Sequence, residues 1–125
     1  MKNIYLNIYK ATLSNLKKAK KNIENNNLVG MPTETVYGLA ANAYSDKSVK
    51  KIYNLKKRPS INPLIIHFYD IKHLKKDSIL NKDFIKLYKA LCPGPITFIL
   101  NKSSKSKISK IATAGKKTVA VRFPE

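Results

Sequence analysis

Thr118-Val119-Ala120-Val121-Arg122-Phe123, close to the end of the 125-residue chain, alternates without interruption between two kinds of side chain. Successive side chains of a strand point to opposite faces, so Val119, Val121 and Phe123 share one face and Thr118, Ala120 and Arg122 share the other. The apolar face must be core. On the other, small Ala120 between two polar residues leaves room for a ligand, although a solvent-facing edge strand would show the same pattern. The same alternation recurs upstream. Residues 64–69 set Leu64, Ile66 and Phe68 against Ile65, His67 and Tyr69, and residues 3–9 set Ile4, Leu6 and Ile8 against Asn3, Tyr5 and Asn7. Residues 96–100 and the short run Leu28-Val29-Gly30-Met31 are further strand candidates.

Helical spacing fills the intervals. Thr12 is a cap for a helix whose inward positions are Leu13, Leu16, Ala19 and Ile23, ended by Asn25-Asn26-Asn27. Pro32 then breaks regular structure and leaves Thr33-Glu34-Thr35 in a loop. Asp46 is expected to cap a second helix, with Val49, Ile52 and Tyr53 on one face, which runs out in Lys56-Lys57-Arg58-Pro59. Asp83 is expected to begin a third, with Phe84, Leu87, Tyr88 and Leu91 inward, stopped by Cys92-Pro93-Gly94-Pro95. Residues 102–117 are polar and carry no clear period. Strands and helices mingle throughout, which predicts an α/β or α+β fold: a twisted mixed sheet flanked by helices, in one domain over residues 1–125.

Composition narrows the function classes. With 43% hydrophobic and 26% charged residues the chain is of ordinary globular type. It has no apolar run of the ~20 residues a membrane span needs, and no signal-peptide pattern at its start. The single cysteine, Cys92, excludes an intrachain disulfide, so a cytoplasmic, reducing setting is expected. Net charge is +18, from 25 Lys and Arg against 7 Asp and Glu. Such a balance suggests an RNA or another anionic partner, yet only Arg58 and Arg122 are arginines. The crowding of lysine, asparagine and isoleucine equally fits compositional drift toward A and T. No Gly-x4-Gly-Lys loop, metal-spaced Cys/His set, Ser/His arrangement or carboxylate pair stands out.

Four blocks, in order, carry a resemblance. Met31-Pro32-Thr33-Glu34-Thr35-Val36-Tyr37-Gly38-Leu39-Ala40-Ala41-Asn42-Ala43 closely resembles the signature PTETVYGLGANA of the YrdC-like family, the threonylcarbamoyl-AMP synthases of tRNA modification. Lys56-Lys57-Arg58-Pro59, Asn62-Pro63-Leu64 and His67 are similar to its KxRP…NPL…H stretch. Cys92-Pro93-Gly94-Pro95-Ile96-Thr97 is similar to its PGPLT turn, and residues 118–124 to its TVAVRxP strand. Ala40 stands where many members have glycine. Members continue past this strand with a Ser-x-Asn element for the nucleotide, whereas this sequence stops at Glu125. The resemblance therefore carries the expectation of a domain incomplete on its C-terminal side, poorly stable or self-associating, with little synthesis of its own.

What the resemblance implies is a synthase joining L-threonine, bicarbonate or CO2 and ATP into threonylcarbamoyl-AMP, with release of pyrophosphate. A downstream transferase complex would pass the threonylcarbamoyl group to adenosine 37 of tRNA. It implies Thr33, His67 and Arg122 at the amino acid, Lys56, Arg58, Asn62 and Thr118 at ATP, and Lys56 and Arg58 as the catalytic cations. Mg²⁺ accompanying ATP is an expectation from the chemistry, with no protein metal site. Positioning and electrostatics dominate such a transfer, so no covalent nucleophile is needed. Each residue also has a plainer role. Thr33 can close a turn after Pro32, and Lys56 and Arg58 can end a helix on its dipole. Asn62 can form an Asn-Pro turn, His67 can be a half-buried strand residue, Gly94 can serve a rigid turn, and Glu34 is conceivable as a general base. Two other functions remain open. One is a basic module binding tRNA or double-stranded RNA without catalysis. The other is a carbamoyl-adenylate-forming enzyme of the hydrogenase-maturation type, although the extra segments of those proteins are absent from this sequence.

Overall fold

The computed structural model describes residues 7–125, and the candidate ligand strand lies at the centre of its larger sheet. In chain order the elements are α1 (Leu13–Glu24), β1 (Val29–Met31), β2 (Gly38–Ala40), α2 (Asp46–Lys56), β3 (Ile65–His67), α3 (Ile71–Leu74), α4 (Lys82–Leu91), β4 (Thr97–Asn101) and β5 (Thr118–Arg122). Strands β1 and β2 form an antiparallel pair, Gly30 opposite Leu39. The second sheet has the order β3-β5-β4, with β3 parallel and β4 antiparallel to β5. The mixed α/β class is as the patterning predicts.

The core lies under one face of the three-stranded sheet. Val119, Val121 and Phe123 are fully buried there, joined by Ile66, Phe98 and Leu100 from the flanking strands, by Phe68 just after β3, and by Phe84, Tyr53, Val49 and Leu74 from the helices. A fully buried Val or Phe contributes roughly 1.5–3 kcal/mol, so the alternation in β5 is enough to fix its register. Phe84 packs edge-on against Phe98, and Tyr88 edge-on against Phe123. Gly94 is buried where α4 turns into β4. Its N–H donates to Phe123 O at 2.8 Å, and a Cβ there would meet Leu91 O at 2.7 Å, so only glycine fits.

Several expectations need correction. The edge-strand alternative for residues 118–123 fails, because β5 is paired on both sides. Thr12 does cap α1, accepting from Asn15 N–H, but the supposed inward face is not buried. Leu13 and Leu16 are 71% and 55% exposed, and only Ala19 and Ile23 of that stripe are partly covered. Helix α2 is capped by Ser45, with Asp46 as its first residue, and α4 by Asn81, one residue before its start at Lys82. Along α4 the buried face turns toward Phe84, Ile85 and Tyr88, leaving Leu87 and Leu91 exposed. Strand β3 is shorter than residues 64–69. Of the strand expected over residues 3–9, residues 3–6 lie outside the described part and residues 7–9 are not extended into a strand. Strand β2 and the one-turn helix α3 give no period long enough to read.

The polar stretch of residues 102–117 is a packed connection between β4 and β5. Ile108, Ser109, Ala112 and Thr113 are buried, Ser109 N–H donates to Ala43 O, and Leu64 N–H donates to Ala112 O. Asp77, 1% exposed, is its main anchor: it accepts from Tyr44 Oη at 2.6 Å, Ser106 Oγ at 2.9 Å and Lys107 N–H at 3.3 Å. This knot fixes where the chain enters β5.

Candidate functional site

The face of the sheet opposite the core is where the candidate residues collect, because the pairing register sets their order. His67 is opposite Arg122, and Arg122 is opposite Thr97, making one polar row across three strands. Ile65, Ala120 and Ile99 form the next row, and Thr118 with Asn101 the row beyond. Ile99 is 73% exposed and Ile65 is also open, so the missing bulk at Ala120 makes a shallow apolar saddle between two polar ends. Thr118 and Arg122 are thus about 13 Å apart along one strand, at ~3.3 Å rise per residue.

Arg122 is not free. Its Nε donates to Glu34 Oε1 at 3.0 Å, its Nη2 donates to the same oxygen, and Nη2 reaches Thr35 Oγ1 at 3.4 Å. The two ion-paired side chains are only 14% and 15% exposed. Hydrogen bonding from its own backbone N–H, then from the Arg122 guanidinium, holds the Glu34 carboxyl below its ordinary value, against the opposing effect of burial. A carboxylate so stabilised is a poor proton acceptor, which argues against Glu34 as a general base. Loss of water, reinforced by the Arg122 charge and opposed by Glu34, holds the His67 imidazole below its ordinary value. His67 is therefore a neutral hydrogen-bonding ring at neutral pH.

Thr33 closes the turn after Pro32. Its hydroxyl donates to Val36 O at 2.7 Å and accepts from the N–H groups of Thr35 and Val36, both at 3.2 Å. The loop between β1 and β2 is closed by that one side chain, which presents Glu34 and Thr35 to Arg122. The sequence singled out Glu34 only as the one acid of the loop. Its pairing with one of just two arginines went unread, since nothing local relates positions 88 residues apart.

The other group sits after α2. Lys57 takes the left-handed conformation, φ 49°, and ends the helix, so Lys56 is the last helical residue and Arg58 turns back toward the following loop. Arg58 donates from Nε to Asn62 O at 3.3 Å and from Nη2 to Pro63 O at 3.0 Å. Tyr53 Oη also reaches Asn62 O, at 2.8 Å. The loop is thereby braced, Asn62 by its carbonyl, and the Lys56 ammonium stays exposed. The geometry thus brings together Glu34, Thr35, His67 and Arg122, with Thr118 farther along the same face. Lys56, Arg58 and Asn62 form a separate cationic corner. Among the described residues no group of three or more His, Cys, Asp or Glu could hold a metal ion.

Comparison with known proteins places the chain among relatives. A curated threonylcarbamoyl-AMP synthase of Pyrococcus abyssi is 43% identical over 106 residues, covering 82% of this chain and 30% of that protein. A putative threonylcarbamoyl-AMP synthase of Methanocaldococcus jannaschii is 35% identical, covering all of this chain and 60% of its own length. The crystal structure of P. abyssi Sua5 complexed with L-threonine superposes with a TM-score of 0.86 at 38% identity, over 93% of this chain and 34% of that one. The chain therefore spans less than two thirds of these relatives. The Sua5/YciO/YrdC family, described as "Telomere recombination", matches residues 21–125, which include both the Arg122 row and the cationic corner: the chain belongs to that family.

Proposed function

We propose that this chain carries the amino-acid and ATP-binding part of a threonylcarbamoyl-AMP synthase, which makes its product from L-threonine, bicarbonate or CO2 and ATP. The observation that supports this most is the row His67–Arg122–Thr97 on the open face of the central strand. A guanidinium fixed on a doubly paired strand suits a carboxylate, which it can bind by two parallel hydrogen bonds. Neutral His67 beside it can bond the hydroxyl or amine of the amino acid without adding charge, while Thr33 holds the loop that closes this end. The threonine amine would add to CO2 to give a carbamate. A carbamate oxygen would then attack the α-phosphorus of ATP in line, and pyrophosphate would leave. In this reading Lys56 and Arg58 would neutralise the phosphates, Asn62 would hydrogen-bond the nucleotide, and Thr118 would meet it along the sheet. ATP would enter with Mg²⁺. In this reading the protein acts in the cytoplasm and hands its product to a tRNA-modifying transferase.

The test is pyrophosphate release from ATP, with threonine and bicarbonate omitted in turn. Release that needs both supports the reading; release unaffected by either omission overturns it. The alternative, a basic RNA-binding module, has only the net charge of +18 in its favour and leaves the Arg122 row without a purpose.

A further inference from the structure

The fork of Arg122 that the proposed function assigns to the amino-acid carboxylate is already filled by a carboxylate of the chain itself. Glu34 Oε1 receives both Nε–H and Nη2–H, the two donors on one edge of the guanidinium. Thr35 Oγ1 accepts at the same nitrogen, and the backbone N–H groups of Glu34 and Glu125 also stabilise the Glu34 anion. The pair is sheltered, although both residues lie in or beside an otherwise open face. Donors converging on a carboxylate in this way form a carboxylate site, and the loop that carries its occupant is a short turn closed by Thr33.

We propose that Glu34 is an internal placeholder, which occupies the Arg122 fork until the carboxylate of the amino-acid substrate displaces it. The inference rests on the reading that Arg122 receives that carboxylate. Displacement needs only rotation of the Glu34 side chain, since the Thr33 hydrogen bonds keep the loop backbone in place. The placeholder holds the guanidinium in position while the site is empty, and it makes the fork respond to carboxylates rather than to any anion that drifts to a cationic surface. The cost is affinity: a fork free for about one tenth of the time weakens apparent binding about tenfold. A ligand that lacks a carboxylate gains nothing from removing Glu34.

The experiment is calorimetric titration of the whole chain with L-threonine and with L-threoninamide, comparing the wild type with Glu34→Gln, Glu34→Ala and Arg122→Gln. Thermal melts check that each variant is folded. The expected result is threonine binding about tenfold tighter in both Glu34 variants, unchanged threoninamide binding, and loss of threonine binding in Arg122→Gln. The carboxyl carbon of Glu34, followed by 13C NMR in the wild type, should shift on addition of threonine and not of threoninamide. Threonine binding that is weaker or unchanged without Glu34, but still lost without Arg122, overturns the placeholder and keeps the carboxylate role of Arg122. Threonine binding that survives Arg122→Gln overturns that role, and the placeholder with it.

Discussion

Replacing Asp77 by alanine should cost the protein about 3 kcal/mol, because hydrogen bonds to a charged acceptor are worth roughly 1.5–3 kcal/mol each and these share one carboxylate, so they do not simply add. Asp77 is 1% exposed, and its carboxylate takes three donors from distant segments: Tyr44 Oη, Ser106 Oγ and the Lys107 N–H. Those donors belong to the connection between β2 and α2 and to the β4–β5 connection of residues 102–117, so the loss falls on long-range order. For a domain of this length, 3 kcal/mol corresponds to a drop in Tm of about 10 °C. Tyr44→Phe removes only one of the three donors and should cost about 1–2 kcal/mol. Urea unfolding measures both values. Hydrogen exchange should show faster opening at the β4–β5 pairing of Leu100 with Val119, just after that connection. An Asp77→Ala protein within about 0.5 kcal/mol of the wild type, the size of an ordinary surface change, or a Tyr44→Phe protein less stable than Asp77→Ala, would refute the claim that this carboxylate anchors the connection.

Three further outcomes are expected. Arg122→Lys keeps the charge but loses the planar fork, so threonine affinity should fall by about 1–3 kcal/mol in a titration while ATP affinity changes much less; equal losses would mean that the sheet face is not divided between the two ligands. The folded-state pKa of His67 is lowered, so the unfolded chain binds the proton more readily, and the stability this group contributes is complete above its ordinary value of 6.5 and declines as pH falls below it; unfolding curves from pH 7.5 to 5.5 on the wild type and His67→Gln should show that slope in the wild type alone. If the +18 charge is largely drift, tRNA binding should be sequence-blind and fall steeply with salt through counterion release, and nanomolar binding that survives ~0.3 M salt would count against the synthase reading.

How much was legible in the sequence depends on whether the governing interaction was local. Strand β5 was, because alternation over residues 118–123 records burial on one face directly, and Val119, Val121 and Phe123 are all buried. So was the face of α2, where Val49, Ile52 and Tyr53 lie in the core. Helix α1 shows the limit: its apolar spacing is as regular, yet spacing states only that a face is apolar and not that anything covers it. The caps at Ser45 and Asn81 were missed by one or two residues, since Ser45 and Asp46, or Asn81 and Asp83, are interchangeable candidates until backbone geometry selects one. In the site, the shared face of Thr118 and Arg122 was readable. The Glu34 partner and the anchoring of residues 102–117 by Asp77 were not, because ion pairs and hydrogen bonds between distant segments leave no period in a chain.

Placing Arg122 on β5 has a mechanical consequence that an edge strand could not supply. A strand paired on both sides has its backbone fixed by two ladders, so the guanidinium needs only its own torsions set, and Glu34 sets them. The parallel pairing with β3 brings His67 level with Arg122, and the antiparallel pairing with β4 brings Thr97 level from the other side. Two residues back, the ladders place Ile65 and Ile99 against Ala120, where a larger side chain would fill the saddle. Polar groups at the ends and apolar surface between them suit a ligand with a charged head and a flat body, and the central strand lets one short sequence hold both. The core residues of β5 and the residues proposed to meet a ligand alternate along it. Its two faces can therefore be altered separately, and substitutions at Ala120 should change the open face while leaving the packing of Val119 and Val121 beneath it intact.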